Sequence, residues 1–178
     1  GERPNYVSTV GGVDQLNANN DKYTQVGSAY KQYNFMQKFG YKTNSGYVHG
    51  LNLQYSTTSD INRYDRLTEI AGAGLKFAQW YYGPQVRNMI GYKLTKSQLN
   101  GYFQKLTTNV NYQHLEESRM SRRFKSNDKE YRFEAVDMVG LNMDLLHQGK
   151  SGTLNIGVES YYNNVGSTAY SNNIASNV

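Results

Sequence analysis

The constraint that bears hardest on this chain is alternation. Over six stretches apolar and polar residues exchange places every second position, and a helical period is scarce. Tyr33, Phe35, Gln37, Phe39 and Tyr41 share one parity, with Asn34, Met36, Lys38 and Gly40 on the other. Beyond the hairpin-type turn Asn44-Ser45-Gly46, Tyr47, His49, Leu51, Leu53 and Tyr55 oppose Val48, Gly50, Asn52, Gln54 and Ser56. A third stretch sets Val86, Asn88, Ile90, Tyr92 and Leu94 against Arg87, Met89, Gly91 and Lys93. In the fourth, Leu106, Thr108, Val110 and Tyr112 face away from Thr107, Asn109, Asn111 and Gln113. The fifth carries Tyr131, Phe133, Ala135, Val139, Leu141, Met143 and Leu145 against Arg132, Glu134, Gly140, Asn142 and Asp144. Asp137 breaks its apolar phase, which predicts a bulge there or a mis-set strand. A Gly149-Lys150-Ser151-Gly152 turn opens the sixth, with Leu154, Ile156, Val158 and Tyr162 opposite Asn155, Gly157 and Glu159.

The expected fold is therefore all-β: an antiparallel meander of about six long strands in three hairpins over 25–163, after an irregular segment 1–24 and before a loop 164–178. Composition narrows the class further. The 178 residues include 17 Tyr, 17 Gly and 20 Asn, with few aliphatics, and no Cys, so disulfides, thiolate metal sites and cysteine nucleophiles are excluded. No apolar run approaches the ~18–20 residues of a membrane helix, and the first residues lack the basic and apolar regions of a signal peptide. A formal charge of +5 is mild and not clustered as nucleic-acid binding requires.

Connections alternate short (43–46, 96–101, 148–151) and long (57–82, 117–130, beyond 163), the layout of a transmembrane β-barrel with short turns at one end. On that reading the chain is a segment of barrel, a curved open sheet if isolated. Asn52, Gln54, Asn109, Asn111, Arg132, Glu134 and Asn142 would face a watery lumen. Tyr33, Tyr55, Trp80, Tyr81, Tyr82, Tyr131, Phe133 and Tyr162 would form an aromatic girdle at the long-loop end, and Phe39, Tyr41, Tyr47, Tyr92 and Tyr102 one at the other. The alternative is a soluble β-sheet binding module, carbohydrate-binding or adhesive, with its tyrosines exposed on one surface.

Two segments carry a resemblance. Leu51-Asn52-Leu53-Gln54-Tyr55-Ser56-Thr57-Thr58-Ser59-Asp60-Ile61-Asn62-Arg63-Tyr64-Asp65-Arg66-Leu67-Thr68-Glu69 and Phe77-Ala78-Gln79-Trp80-Tyr81-Tyr82-Gly83-Pro84-Gln85 resemble TonB-dependent outer-membrane receptors of Gram-negative bacteria. The likeness covers roughly residues 25–95. It implies a barrel of about twenty-two strands closed over a plug domain, driven by the TonB complex and moving a scarce nutrient: an iron chelate, haem, cobalamin or a glycan. It also implies that the chain is a middle portion of the barrel wall in the outer membrane. Partners would then be the lipid bilayer, lipopolysaccharide, the plug, the TonB complex and a small nutrient ligand. Six strands cannot close around a plugged lumen, so the isolated piece is expected to self-associate or to need detergent.

Candidate chemistry is sparse. Arg63, Tyr64, Asp65, Arg66 and Glu69 could form a rim touching an anionic ligand or the plug, since Arg forks onto carboxylate or phosphate; alternatively these charges pair among themselves and order the loop. The run Arg119, Arg122, Arg123, Lys125, Asp128, Lys129, Glu130 and Arg132 could meet lipopolysaccharide phosphates, or be a solvated loop. His49, His114 and His147 show no ligand spacing. Gly72-Ala73-Gly74-Leu75-Lys76 lacks the spacing of a phosphate loop. Carboxylates at 116, 117, 134, 137 and 144 give no specific glycosidase pair. Neither catalysis, a metal nor a cofactor is indicated.

Overall fold

The computed structural model describes residues 2–72 and 74–176. Ala73, within the rejected glycine-rich segment, and residues 177–178 of the expected terminal loop lie outside them. Twelve strands and one helical turn follow in order: β1 (Asn5–Val10), β2 (Val13–Ala18), β3 (Gln32–Lys42), β4 (Tyr47–Thr58), β5 (Ile61–Asn62), α1 (Tyr64–Leu67), β6 (Ile70–Ala71), β7 (Gly74–Leu75), β8 (Phe77–Tyr82), β9 (Val86–Ser97), β10 (Lys105–Arg123), β11 (Asp128–Gly149) and β12 (Gly152–Asn173). The long strands pair antiparallel in the order β12-β11-β10-β9-β4-β3. That is a meander, and it is open: among the described residues β3 and β12 are free edges. β8 continues the sheet beside the far half of β10 and carries β5, while β1–β2 and β6–β7 are separate ribbons.

Register converts the alternation into two faces, because directly paired residues point the same way. Phe39, Leu51, Tyr92, Val110 and Leu141 form one cross-strand row on the apolar face. The adjacent row on that side is Leu53, Ile90, Tyr112, Val139 and Tyr162. On the opposite face Asn52, Gly91, Asn111, Gly140 and Tyr161 align. Among the large hydrophobic side chains of the described residues only Leu67 and Trp80 are buried, while Phe39, Ile90, Val110, Leu141 and Ile156 stay exposed. No second layer covers the apolar face among the described residues.

Three expectations need correction. The segment 1–24, of which Gly1 lies outside the described residues, is not irregular throughout: Tyr6, Val7, Ser8 and Thr9 pair with Asn17, Leu16, Gln15 and Asp14 in a hairpin turned by Gly11 and Gly12, both at positive φ. The end is not a loop from 164 either, since β12 pairs β11 out to Asn173–Asp128. Nor is 117–130 a long connection. β10 and β11 run straight through it, 19 and 22 residues long, leaving Phe124–Asn127 as the turn. Charge density mimics a loop there, but the charged side chains alternate between faces as strand residues do.

Asp137 causes no bulge. The β10–β11 ladder is unbroken, and Asp137 lies opposite His114. Tyr112 donates to its carboxylate at 2.6 Å, His114 Nδ1 lies 2.8 Å from it, and His114 Nε2 lies 2.9 Å from Glu116. Asn88, His114, Asp137 and Asn164 thus form one polar row that ends the apolar face across β9–β12.

Gly140 is the tightest position on the polar face. A Cβ there would stand 2.5 Å from the Tyr161 ring and 2.6 Å from the Asn111 amide. Gly140→Ala is expected to lower stability by about 1–3 kcal/mol through overpacking. Adding Tyr161→Ala should recover most of that loss, read as the shift in unfolding midpoint.

Candidate functional site

The site begins with a phase change. Val86 pairs with Glu116 and Tyr82 with Arg119, so four steps on one side match three on β10. Gly83-Pro84-Gln85 hold the extra residue as a β-bulge. A Cβ at 83 would sit 2.2 Å from Ser118 Oγ, so any larger residue there must displace that hydroxyl. Side-chain parity reverses across the step. Trp80 and Tyr82 therefore pair with Ser121 and Arg119 on the polar face, whereas Tyr81 pairs with Met120 on the other.

This divides the expected girdle. Trp80 and Tyr82 cannot belong to one band with Tyr33 and Tyr55, being on opposite faces. Tyr81, Tyr131 and Phe133 do share the apolar side but lie beyond the polar row of His114 and Asp137. There Tyr131 stacks on Tyr170 at 5.0 Å, and Lys129 donates to the Tyr81 hydroxyl at 2.9 Å.

The Arg63–Glu69 loop crosses β8 on its polar face. Residue 63 is extended, and its carbonyl accepts from the Arg66 and Leu67 amides, starting the single turn of α1. Leu67, 8% exposed, anchors the turn. Arg63 forks onto Asp65 at 2.7 and 2.6 Å, donates to the Tyr82 hydroxyl at 2.8 Å and lies 5.2 Å from the Trp80 ring centre. Arg66 meets Glu69 at 3.4 Å, and Lys76 meets the other oxygen of Glu69 at 2.5 Å. The two segments that carry the resemblance are thus in direct contact, and the loop's charges are consumed internally. These bonds set the titration. Arg63 holds the Asp65 carboxyl down at about 2, its own guanidinium is held more firmly protonated by Asp65, and Lys76, then Arg66, keep Glu69 below the usual carboxylate range.

Beside this strap the polar face carries a cleft of about 500 Å³. Arg119, Arg123, Arg132 and Lys76 line it against Asp128 and Glu130, four cations to two carboxylates, with Trp80 and the Ser121 hydroxyl between them. Arg132 approaches Glu130 at 3.9 Å. Arg119 lies 5.9 Å from the Trp80 ring centre, and neither it nor Arg123 has an ion-pair partner among the described residues. The cleft can hold an anionic group beside an aromatic surface.

Arg122 faces the other way. Its side chain is 1% exposed and grips Asp14 at 2.5 and 2.8 Å, donates to Thr9 at 2.9 Å and to the Ser126 carbonyl at 2.7 Å. The Lys125 amide, on a residue at φ 61, also donates to Asp14. Burial alone would raise the Asp14 pKa, but the bonds from Arg122, Thr9 and Lys125 hold it below normal. This clasp fixes the N-terminal hairpin to the β10–β11 turn. The basic run is therefore neither a loop nor a single patch.

Asn52, Gln54, Asn109, Asn111, Arg132, Glu134 and Asn142 all share the polar face, as register requires. Of these, Arg132 alone lines the cleft. The histidines stay apart: His49 bonds the Tyr92 hydroxyl at 2.7 Å, His114 its two carboxylates, and His147 stacks on Tyr102 at 3.8 Å. No metal-ligating cluster occurs among the described residues. Period-two reading missed the cleft because the bulge hides which face Trp80 occupies; Gly83-Pro84 was the available signal.

Two outcomes follow. Arg122→Ala should leave Asp14 buried without its partner and cost on the order of 3 kcal/mol, seen as early proteolysis within residues 5–18. Because the folded pKa of Asp65 is depressed, its pairing is stabilising above its unfolded value near 4 and is lost as pH falls towards about 2. An NMR titration of the Asp65 carboxyl should give a midpoint near 2 in the native chain and a normal one in Arg63→Gln.

No protein family, no curated protein and no solved structure matches this chain.

Proposed function

We propose that this chain is a section of the barrel wall of a TonB-dependent outer-membrane transporter, and that its polar face lines the passage for a scarce nutrient. The observation that carries this reading is the bare apolar face. A wide antiparallel sheet with in-register rows of Leu, Ile, Val and Tyr, left without a covering layer, has the surface that lipid would solvate. Tyr33–Tyr41 and Tyr47–Tyr55 match the ~9–11 residues that a tilted strand needs to cross a bilayer. The free edges at β3 and β12 are where neighbouring wall strands would pair. An isolated chain would hide the same surfaces by self-association.

On this reading the polar row Asn88, His114, Asp137 and Asn164 stands at the outer lipid boundary. The 19–22 residues of β10–β12 then exceed the span and rise beyond it, carrying the arginine-lined cleft at the mouth of the passage. Arg119 and Arg123 would there meet anionic groups of the nutrient, while the self-paired Arg63–Glu69 loop braces the rim. Lipopolysaccharide phosphates are a poorer match for the basic run, because Arg119, Arg123 and Arg132 face the passage and Arg122 is sealed against Asp14. A soluble β-sheet binding module that uses exposed tyrosines is the weaker match, since it gives no role to the bare rows of Leu, Ile and Val.

The test is a pair of neighbours on opposite faces. In the complete transporter Leu141→Arg would set a charge in lipid at about 2–4 kcal/mol and should block membrane assembly, read as loss of the heat-modifiable gel band. Asn142→Arg should assemble normally. Equal assembly of the two variants, or a soluble product, would sink the proposal.

A further inference from the structure

Outside the polar cleft the molecule has a second cavity, of about 320 Å³, between the N-terminal hairpin, α1 and β8. Val7, Leu67 and Phe77 line it together with Arg3, Tyr6 and Gln79. Arg3 is 5% exposed. One of its terminal nitrogens donates to the Val26 carbonyl, its guanidinium lies 5.8 Å from the Tyr64 ring centre, and its Nε is buried without an acceptor. No carboxylate pairs with it among the described residues. Burial pulls its pKa down, yet an arginine stays charged in any protein. A cation removed from water without a counter-ion is costly, and here it borders a cavity rather than packed side chains.

We propose that this cavity binds a small organic carboxylate, its oxygens taken by Arg3 with the Tyr6 hydroxyl and the Gln79 amide, and its apolar body against Val7, Leu67 and Phe77. One cation among otherwise neutral groups balances a monoanion. A phosphate dianion would bring excess negative charge into a half-apolar space. The assignment is independent of the transport reading, since it uses neither the apolar face nor the arginines of the cleft, with which this cavity shares Phe77.

The probe is benzoate, titrated calorimetrically into the full chain kept in zwitterionic detergent, with inorganic phosphate as competitor. Saturable binding is expected, weakened at least about tenfold in Arg3→Gln through loss of the charged hydrogen bonds and not displaced by equimolar phosphate. Tyr6→Phe keeps Arg3 in place and should weaken binding about threefold at an unchanged unfolding midpoint, so the proposal stays testable if Arg3→Gln fails to fold. Absence of saturable binding, phosphate binding as tightly as benzoate, or unaltered affinity in either variant would overturn it.

Discussion

Everything in this sheet depends on the backbone ladder of β10. It pairs with β11 from Lys105 to Arg122 without a slip, and on its other side it accepts β9 and then β8. Side chains contribute little enclosure, since Leu67 and Trp80 are the only buried hydrophobics among the described residues. Register is therefore the organising constraint. A slip of one residue would exchange the asparagine-lined and leucine-lined faces of every strand beyond it.

The slip at Gly83-Pro84-Gln85 shows how much follows from a single extra residue. It turns Trp80 and Tyr82 to the side of Arg119, creating the ring surface of the cleft, and lets Arg63 reach both rings from the loop. Without it the same tyrosine-rich segment would present Tyr81 alone to that side. The arrangement also explains why the Arg63–Glu69 charges satisfy each other: Tyr82 and Trp80 hold Arg63 in place, and Asp65 completes its fork.

The meander and the membership of the two faces were legible in the residues, because period two is a geometric property of a strand. Asn52, Asn111 and Asn142 fell on one face for that reason alone. What escaped the alternation was anything set by tertiary pairing. Residues 5–18 look polar and formless until Asp14 is seen to answer Arg122. The Glu117–Lys125 stretch looks like a loop until its charges are sorted by face. Asp137 looks like a phase error until Tyr112 and His114 supply its hydrogen bonds. Of the two clefts, neither was foreseeable from spacing, since one requires the bulge and the other a hairpin folded back over β8.

The Arg122–Asp14 clasp also has a consequence for the order in which the molecule assembles. Its two partners are 108 positions apart, so closing it carries a large chain-entropy penalty that local pairing does not. The β1–β2 hairpin can zip early, on the microsecond scale of such ribbons, but it has nowhere to dock until β10 and β11 have met and their turn has presented Arg122 and the Lys125 amide. The hairpin that precedes the long strands in sequence is thus among the last elements to find its place. Until that moment Asp14 and Arg122 remain hydrated, and the cavity that Arg3 borders does not exist.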